Sequence, residues 1–288
     1  LFGRGLVGTG ADFGVMGERP THPHLLDWLA VDFVESGWDL HHLLRTMVLS
    51  ETYRQSGSAD VAGREKDPNN RWLSRGSRYR LDAEIVRDQA LHLSGLLVGK
   101  VGGRGVMPYQ PPNIWEPVGF GNSNTRYYKQ GTGDDLYRRS LYTFYKRTAP
   151  APFMSTFDAP NREQSCSGRG KSNTPMQALQ LLNDIQHVEA ARNFAEKIIK
   201  KGGKQDKAKI RWAWRTATSR KPSQEEIEIV NDVLHQNRKR YSEDQEAAEN
   251  LIGFGESEPD ANIQPPELAS WTLTANMILN LDEVVNKN

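Results

Sequence analysis

Only one cysteine, Cys166, occurs in the 288 residues. A single thiol excludes an internal disulfide, a four-cysteine zinc site and a Cys-x-x-Cys-His haem attachment, so no cofactor is expected in this chain. Long apolar runs are missing as well: no stretch approaches the 18 or more residues of a membrane span, and pairs such as Leu25-Leu26 or Ile198-Ile199 belong to amphipathic patterns. Nor is there an excess of charge of one sign, with 37 Lys and Arg against 36 Asp and Glu and a net charge of +1. With an isoelectric point near 8.0 and no accompanying binding motif, no nucleic-acid partner is expected. What is present is 37% hydrophobic and 9% aromatic residues, with a mean hydropathy of -0.68. That is polar for a globular protein but too aromatic for a disordered one, and a chain of this length buries about 75% of its unfolded surface.

The opening Leu1-Phe2-Gly3-Arg4-Gly5-Leu6-Val7 reads like the inside of a domain, so the chain is expected to be a piece of a longer protein. Thr21 is a plausible N-cap for a helix with Pro23 in its first turn, and Asp39 caps a second in which Leu40, Leu43, Leu44, Met47 and Val48 share one face. Gln55 to Asn70 reads as a loop, and a third helix runs from Asp82 to Gly99. The Gly-, Pro- and Asn-rich stretch from Val101 to Thr132 is expected to be a long ordered loop, which in a compact domain is often functional. Alternation in Tyr137 to Arg147 favours a strand over a helix. Thr174, Pro175 and Gln177 make a capping box that predicts a long central helix over 175–201, stopped by Gly202-Gly203. Residues 196–221 carry ten bases and two acids, whereas 222–270 carry twelve acids and three bases. These imply a helix near 205–218 beside acidic neighbours that begin at the capping box Ser223-x-x-Glu226. A last helix starts at Pro266. The fold class expected is mainly α, a helical domain with a minor β component and long ordered loops. The chain is read as a single domain, 1–288, open to subdivision into a loop-rich half, 1–172, and a helical half, 173–288.

Several clusters could carry chemistry. His22, His24 and Asp27 lie within six residues at a helix start; their spacing does not match the His-x-x-x-His of a helical metal site, so a capping or surface role is preferred and they remain weak catalytic candidates. Cys166 stands among Arg162, Arg169 and Lys171, which could lower a thiol pKa, but no base can be assigned to it and an incidental thiol is preferred. Arg138, Arg139, Lys146, Arg147, Arg162, Arg169 and Lys171 fall within 34 residues, and the loop holding the last three leads through Asn173 into the Thr174 helix start. Together they form a candidate anion site, with pairing inside the fold as the alternative. Asp158 would sit among these cations as an ion-pair anchor or a general base. Trp115, in a proline-rich part of the long loop, is either a sugar-stacking platform or a staple to the core.

Several ordered blocks resemble one family. They include Thr21-His-Pro-His-Leu-Leu-Asp-Trp-Leu-Ala, Gly37-Trp38-Asp39-Leu40, Asp67-Pro68-Asn69-Asn70, Arg80-Leu81-Asp82-Ala83-Glu84, Arg138-Arg139-Ser140-Leu141-Tyr142, Phe157-Asp158-Ala159-Pro160, Asn173-Thr174-Pro175-x-Gln177-Ala178-Leu179 and Leu279-Asn280-Leu281-Asp282-Glu283. The set resembles the C-terminal domain of unknown function of planctomycete and verrucomicrobial secreted, cytochrome-like multidomain proteins, and covers nearly the whole chain. The resemblance implies a parent protein with a signal peptide, hence a periplasmic or secreted location, and partner domains that include a c-type cytochrome domain carrying haem c. It also implies a genomic setting beside sulfatase-like genes that suggests polysaccharide use, and it carries no catalytic residues over by name. The family usually has Ser-His-Pro-Glu where this chain has Thr21-His22-Pro23-His24, and an arginine pair where this chain has Gly168-Arg169.

Two functions of different class follow as expectations. In one, the chain is a non-catalytic module binding an anionic or carbohydrate ligand or a partner domain. In the other, Asp158, Arg162 and their neighbours form part of an active site acting on a sulfated polysaccharide. A catalytic site needs a carboxylate or histidine facing a pocket shared with the cations, whereas a module would have those cations engaged within the fold.

Overall fold

A computed structural model of the chain describes residues 1–58, 61–166 and 168–287. Among the described residues the regular structure is thirteen helices and one two-stranded sheet. Contacts divide the chain into two compact units: Leu1–Arg80 with Ser165–Gly170 and Asn286–Asn288, and Leu81–Gln164 with Lys171–Val285. Neither unit coincides with residues 1–172 or 173–288.

The first unit holds α1 (Pro23–Glu35), α2 (Leu40–Leu49), α3 (Val61–Lys66) and the antiparallel pair β1 (Tyr79–Arg80) and β2 (Asn286–Lys287), with Tyr79 opposite Lys287. Asp39 caps α2 as its sequence implies, accepting from the backbone N–H groups of His41 and His42. α1 instead takes His22 as its N-cap, because the Thr21 hydroxyl bonds to the Leu6 carbonyl and faces His22 Nδ1 at 2.9 Å. α3 interrupts the expected Gln55–Asn70 loop, of which residues 59 and 60 lie outside the described residues. None of its residues is buried, so there was no apolar face to mark it. Neither α1 nor α2 buries a residue fully, and Trp28, Val31, Val34 and Trp38 are exposed.

The second unit contains α4 (Ala83–Ser94), α5 (Asp134–Tyr137), α6 (Pro152–Thr156), α7 (Pro175–Asn183), α8 (Ile185–Lys201), α9 (Asp206–Thr218), α10 (Gln224–Glu243), α11 (Gln245–Ile252), α12 (Pro265–Leu279) and α13 (Asp282–Val285). Its main core joins Phe194 and Ile198 of α8 to Trp214 of α9, Leu234 of α10, and Leu268, Trp271 and Ile278 of α12. Burial of each such side chain contributes about 1.5–3 kcal/mol. α12 is buried almost all round. It can be, because Ser270, Thr272 and Thr274 return their hydroxyls to the carbonyls four residues earlier and leave no polar group unpaired there.

The expected helix over 175–201 is two helices. Asp184 breaks it: with extended backbone (φ -65°, ψ 130°) it ends α7 and caps α8, accepting from the N–H groups of Gln186 and His187. Asp competes with the helix in this way wherever its carboxylate can serve as a cap. The third helix stops at Gly95, in the left-handed conformation (φ 86°), rather than at Gly99. No strand forms over Tyr137–Arg147. The segment holds the end of α5, a 3-10 turn over Ser140–Tyr142 and two isolated bridges, Val98 with Arg138 and Val106 with Thr143, since its partner is a loop that runs alongside for single residues only. The basic stretch 196–221 and the acidic stretch 222–270 interlock as their charges imply: Arg238 bonds to Asp206 and Glu267, Arg220 to Glu226 and also to Glu283 beyond them, and Lys200 to Asp260.

Buried polar groups on α8 and α4 set the positions of the loops. Glu189, fully buried, accepts from the Tyr137 hydroxyl and from Ser257 N and Oγ, each at 2.7 Å. Arg192 donates to the carbonyls of Ile252 and Ser257. Arg87 donates to Gln186 Oε1 at 2.6 Å, to the carbonyls of Leu136 and Arg138 and to Ser140 Oγ. Burial lowers its pKa to about 10, so it remains a cation at neutral pH.

Two outcomes test this frame. Gly255 has φ +89°, and a Cβ there would overlap the carboxyl group of Glu189. Gly255→Ala should therefore lower the unfolding free energy by about 2–5 kcal/mol in urea titration, through backbone strain and overpacking together. The hydrogen-bonded Arg220 guanidinium holds Glu226 down to about 2, from an ordinary 4.5. A depressed carboxylate stabilises the fold fully above its unfolded pKa and loses that contribution as pH falls through its folded one. The stability gap between the wild type and Glu226→Gln should thus be constant above about pH 4.5 and close between 4.5 and 2.

Candidate functional site

The cations expected to gather around one anion are drawn to separate partners. Arg138, 4% exposed, donates to the carbonyls of Lys100, Gly102 and Arg104 and lies 3.8 Å from the Tyr142 ring centroid. Arg139 approaches Asp88 at 3.8 Å, and Lys171 approaches Asp82 at 3.4 Å. Lys146 donates to the carbonyls of Trp115 and Thr125. Arg162, in left-handed backbone (φ 61°), stacks its guanidinium over Tyr145 at 4.6 Å, and Arg147 is exposed.

Asp158 is held by Ser172, not by a cation. Its Oδ2 accepts from Ser172 N at 2.6 Å and Ser172 Oγ at 2.8 Å, and among the described residues it forms no ion pair. The contact reaches the start of α7, where Gln177 Nε2 donates to Ser172 Oγ and to the Thr156 carbonyl, and where Thr174 and Gln177 form the expected capping box. Asn173 and Thr174 are exposed beside it. Asp158 and the Thr174 cap therefore do come together, while Arg138 and Lys146 turn towards the 100–132 loop.

His22, His24, Asp27, Cys166 and Arg169 belong to the first unit. The His22 ring packs edge-on to Trp72 with centroids 5.9 Å apart, His24 and Asp27 are exposed, and the Cys166 thiol is exposed with Sγ donating to the Gly168 carbonyl. Ser167, between them, lies outside the described residues. Among the described residues no group of three or more His, Cys, Asp or Glu is placed to hold a metal ion.

An open cleft of about 390 Å³ in the second unit lies in the long loop, within the size range of ligand sites. The Gly131 N–H pins the loop to the Met107 carbonyl at 2.8 Å, and the Tyr128 hydroxyl donates to the Pro108 carbonyl. Burial pushes the Tyr128 phenol well above its ordinary pKa, so it stays a donor. Trp115 is 2% exposed. Its ring meets Tyr128 edge to face with centroids 4.8 Å apart and Phe144 at 5.6 Å, and the Lys146 ammonium lies 5.0 Å from its centroid. Trp115 is thus the staple that fixes the loop, and at the same time one wall of the cleft. The other walls are Tyr127, which is exposed, Arg126, Gln110, Asn113 and Glu116. Gly119 passes so close to this wall that a Cβ there would stand 2.9 Å from the Arg126 Cα.

Of these residues, sequence reasoning singled out only Trp115. The available signal was the length of the loop together with aromatics interleaved with amides and one arginine, Arg126-Tyr127-Tyr128. The cleft is lined by one carboxylate, Glu116, and by no histidine or cysteine.

This architecture is that of a mainly α-helical domain with an ordered loop carrying a cleft. The chain belongs to the family described as PSD1, protein of unknown function (DUF1553), whose family model matches residues 1–234. No curated protein and no solved structure matches it.

The Ser172 contacts set the outcome for Asp158. Asp158 has left-handed backbone (φ 58°), which Asn tolerates while keeping an acceptor, so Asp158→Asn should cost about 1 kcal/mol or less, well under the 3–5 kcal/mol of a broken buried ion pair. Asp158→Ala, which loses both hydrogen bonds to a charged group, should cost about 2–3 kcal/mol in urea unfolding.

Proposed function

We propose that the chain is a non-catalytic module that binds a carbohydrate in the cleft of the 107–131 loop, within a longer extracytoplasmic protein. The observation that carries the reading is the composition of that cleft: Trp115 and Tyr128 stapled in place, Tyr127 exposed, and the amides of Gln110 and Asn113 beside them. The exposed Tyr127 ring can pack against the C–H face of a sugar ring, held in place by the buried Trp115 and by Tyr128, and amides exchange hydrogen bonds with hydroxyls in either direction.

Two features favour binding over catalysis. Glycoside hydrolysis ordinarily requires two carboxylates facing each other across the scissile bond, and here Glu116 stands alone. The cations that would assist a reaction near Asp158 are engaged with carbonyls, rings and acids of the fold. The extracytoplasmic setting, and partner domains that include a c-type cytochrome domain, rest on the sequence resemblance.

The test is an oligosaccharide binding screen on residues 1–288, followed by calorimetry. Tyr127→Ala should weaken the best binder about tenfold, as expected for loss of one stacking ring, and leave the melting temperature unchanged because the side chain is exposed. Absence of any oligosaccharide binder, or affinity indifferent to Tyr127, would sink the reading.

A further inference from the structure

The donors in the cleft are unequally served. Trp115 Nε1, Gln110 Nε2 and Arg126 Nε are each closed to solvent and hydrogen-bonded to nothing. Buried donors are almost always paired, so three unpaired donors on residues that line one cleft mark a place, just beneath its surface, where the fold supplies no acceptor. Arg126 stands out further. Its guanidinium lies over Tyr127 at 5.4 Å and has no carboxylate partner among the described residues. Lys146 and Arg138 are already supplied with backbone carbonyls.

We infer that the ligand is an acidic saccharide whose carboxylate or sulfate is held by Arg126, with Gln110 and Trp115 on the same wall. This deepens the carbohydrate reading and rests on it. An oxyanion offers only acceptors, matching the guanidinium of Arg126, whose planar fork can hold two of its oxygens at once. Glu116 lines the same cleft and, as a carboxylate, repels an anion while accepting from hydroxyls. The site therefore asks for a molecule with an acidic group at one side and hydroxyls at the other, which a bare inorganic anion is not.

The experiment is calorimetric titration of residues 1–288 at low ionic strength with three hexasaccharide probes: neutral neoagarohexaose, sulfated κ-carrageenan hexasaccharide and carboxylated oligomannuronate. At least one acidic probe should bind about tenfold or more tighter than the neutral one, the worth of a charged hydrogen bond, and the probe that does so distinguishes sulfate from carboxylate. Arg126→Gln should abolish that preference. Arg126→Lys, which keeps the charge but not the planar fork, should weaken the acidic probe and leave the neutral one unchanged; it also serves if the glutamine variant does not fold. A neutral probe that binds as tightly as both acidic ones, or a preference that survives both substitutions, overturns the oxyanion assignment and leaves the carbohydrate reading standing. No binding by any of the three ends both.

Discussion

The guanidinium of Arg87 sits at the centre of the second unit, buried and surrounded by oxygens that come from other segments. Taking a charge out of water is tolerable only when each N–H finds an acceptor, and here the acceptors are the Gln186 side chain of α8, two carbonyls of the 136–138 stretch and the Ser140 hydroxyl. One side chain thereby fixes α4, α8 and the segment after α5 relative to each other. From there the chain runs through the bridge of Thr143 with Val106 to Lys146, whose ammonium holds the Trp115 and Thr125 carbonyls. The cleft in the long loop is the far end of this series of satisfied donors.

Glu189 and Arg192, about one and two turns further along α8 than Gln186, do for another loop what Arg87 does for the 136–140 segment. They draw in Ser257 and the turn containing Gly255, so that the loop between α11 and α12 is positioned by hydrogen bonds to a buried helix. A helix that carries Phe194 and Ile198 towards α12 and carries Glu189 and Arg192 towards a loop is both the apolar and the polar organiser of the unit. The loops are long, yet ordered, because their carbonyls are required elsewhere.

The same economy of acceptors explains where function can reside. Of the cations that appear in sequence as one dense cluster, Arg138, Arg139, Lys146, Arg162 and Lys171 are distributed among carbonyls, ring faces and acids, while Arg147 is exposed. Arg126 is different: it stands in an open cleft over a tyrosine ring and forms no ion pair among the described residues, although Glu116 lines the same cleft.

The sequence by itself determined the elements whose signals are local. The caps at Asp39, Thr174 and Ser223, the apolar periodicity of α2, α8 and α12, and the pairing of a basic with an acidic stretch were all legible, because each depends on residues a few positions apart. So were the helical class and the long loop. What only the tertiary structure decided depends on partners distant in sequence. Asp184 could cap α8 or lie within a longer helix, and Tyr137–Arg147 could be a strand only if another strand lay beside it. Asp158 stood among cations in sequence, yet bonds to Ser172, because hydrogen-bond geometry selects the partner within 3 Å over a charge that is merely near in the chain. The cleft was legible only through Trp115. Its other walls carry no periodic or spaced signature, since residues that line a concave surface are brought there by the closure of the loop and by nothing in their local order.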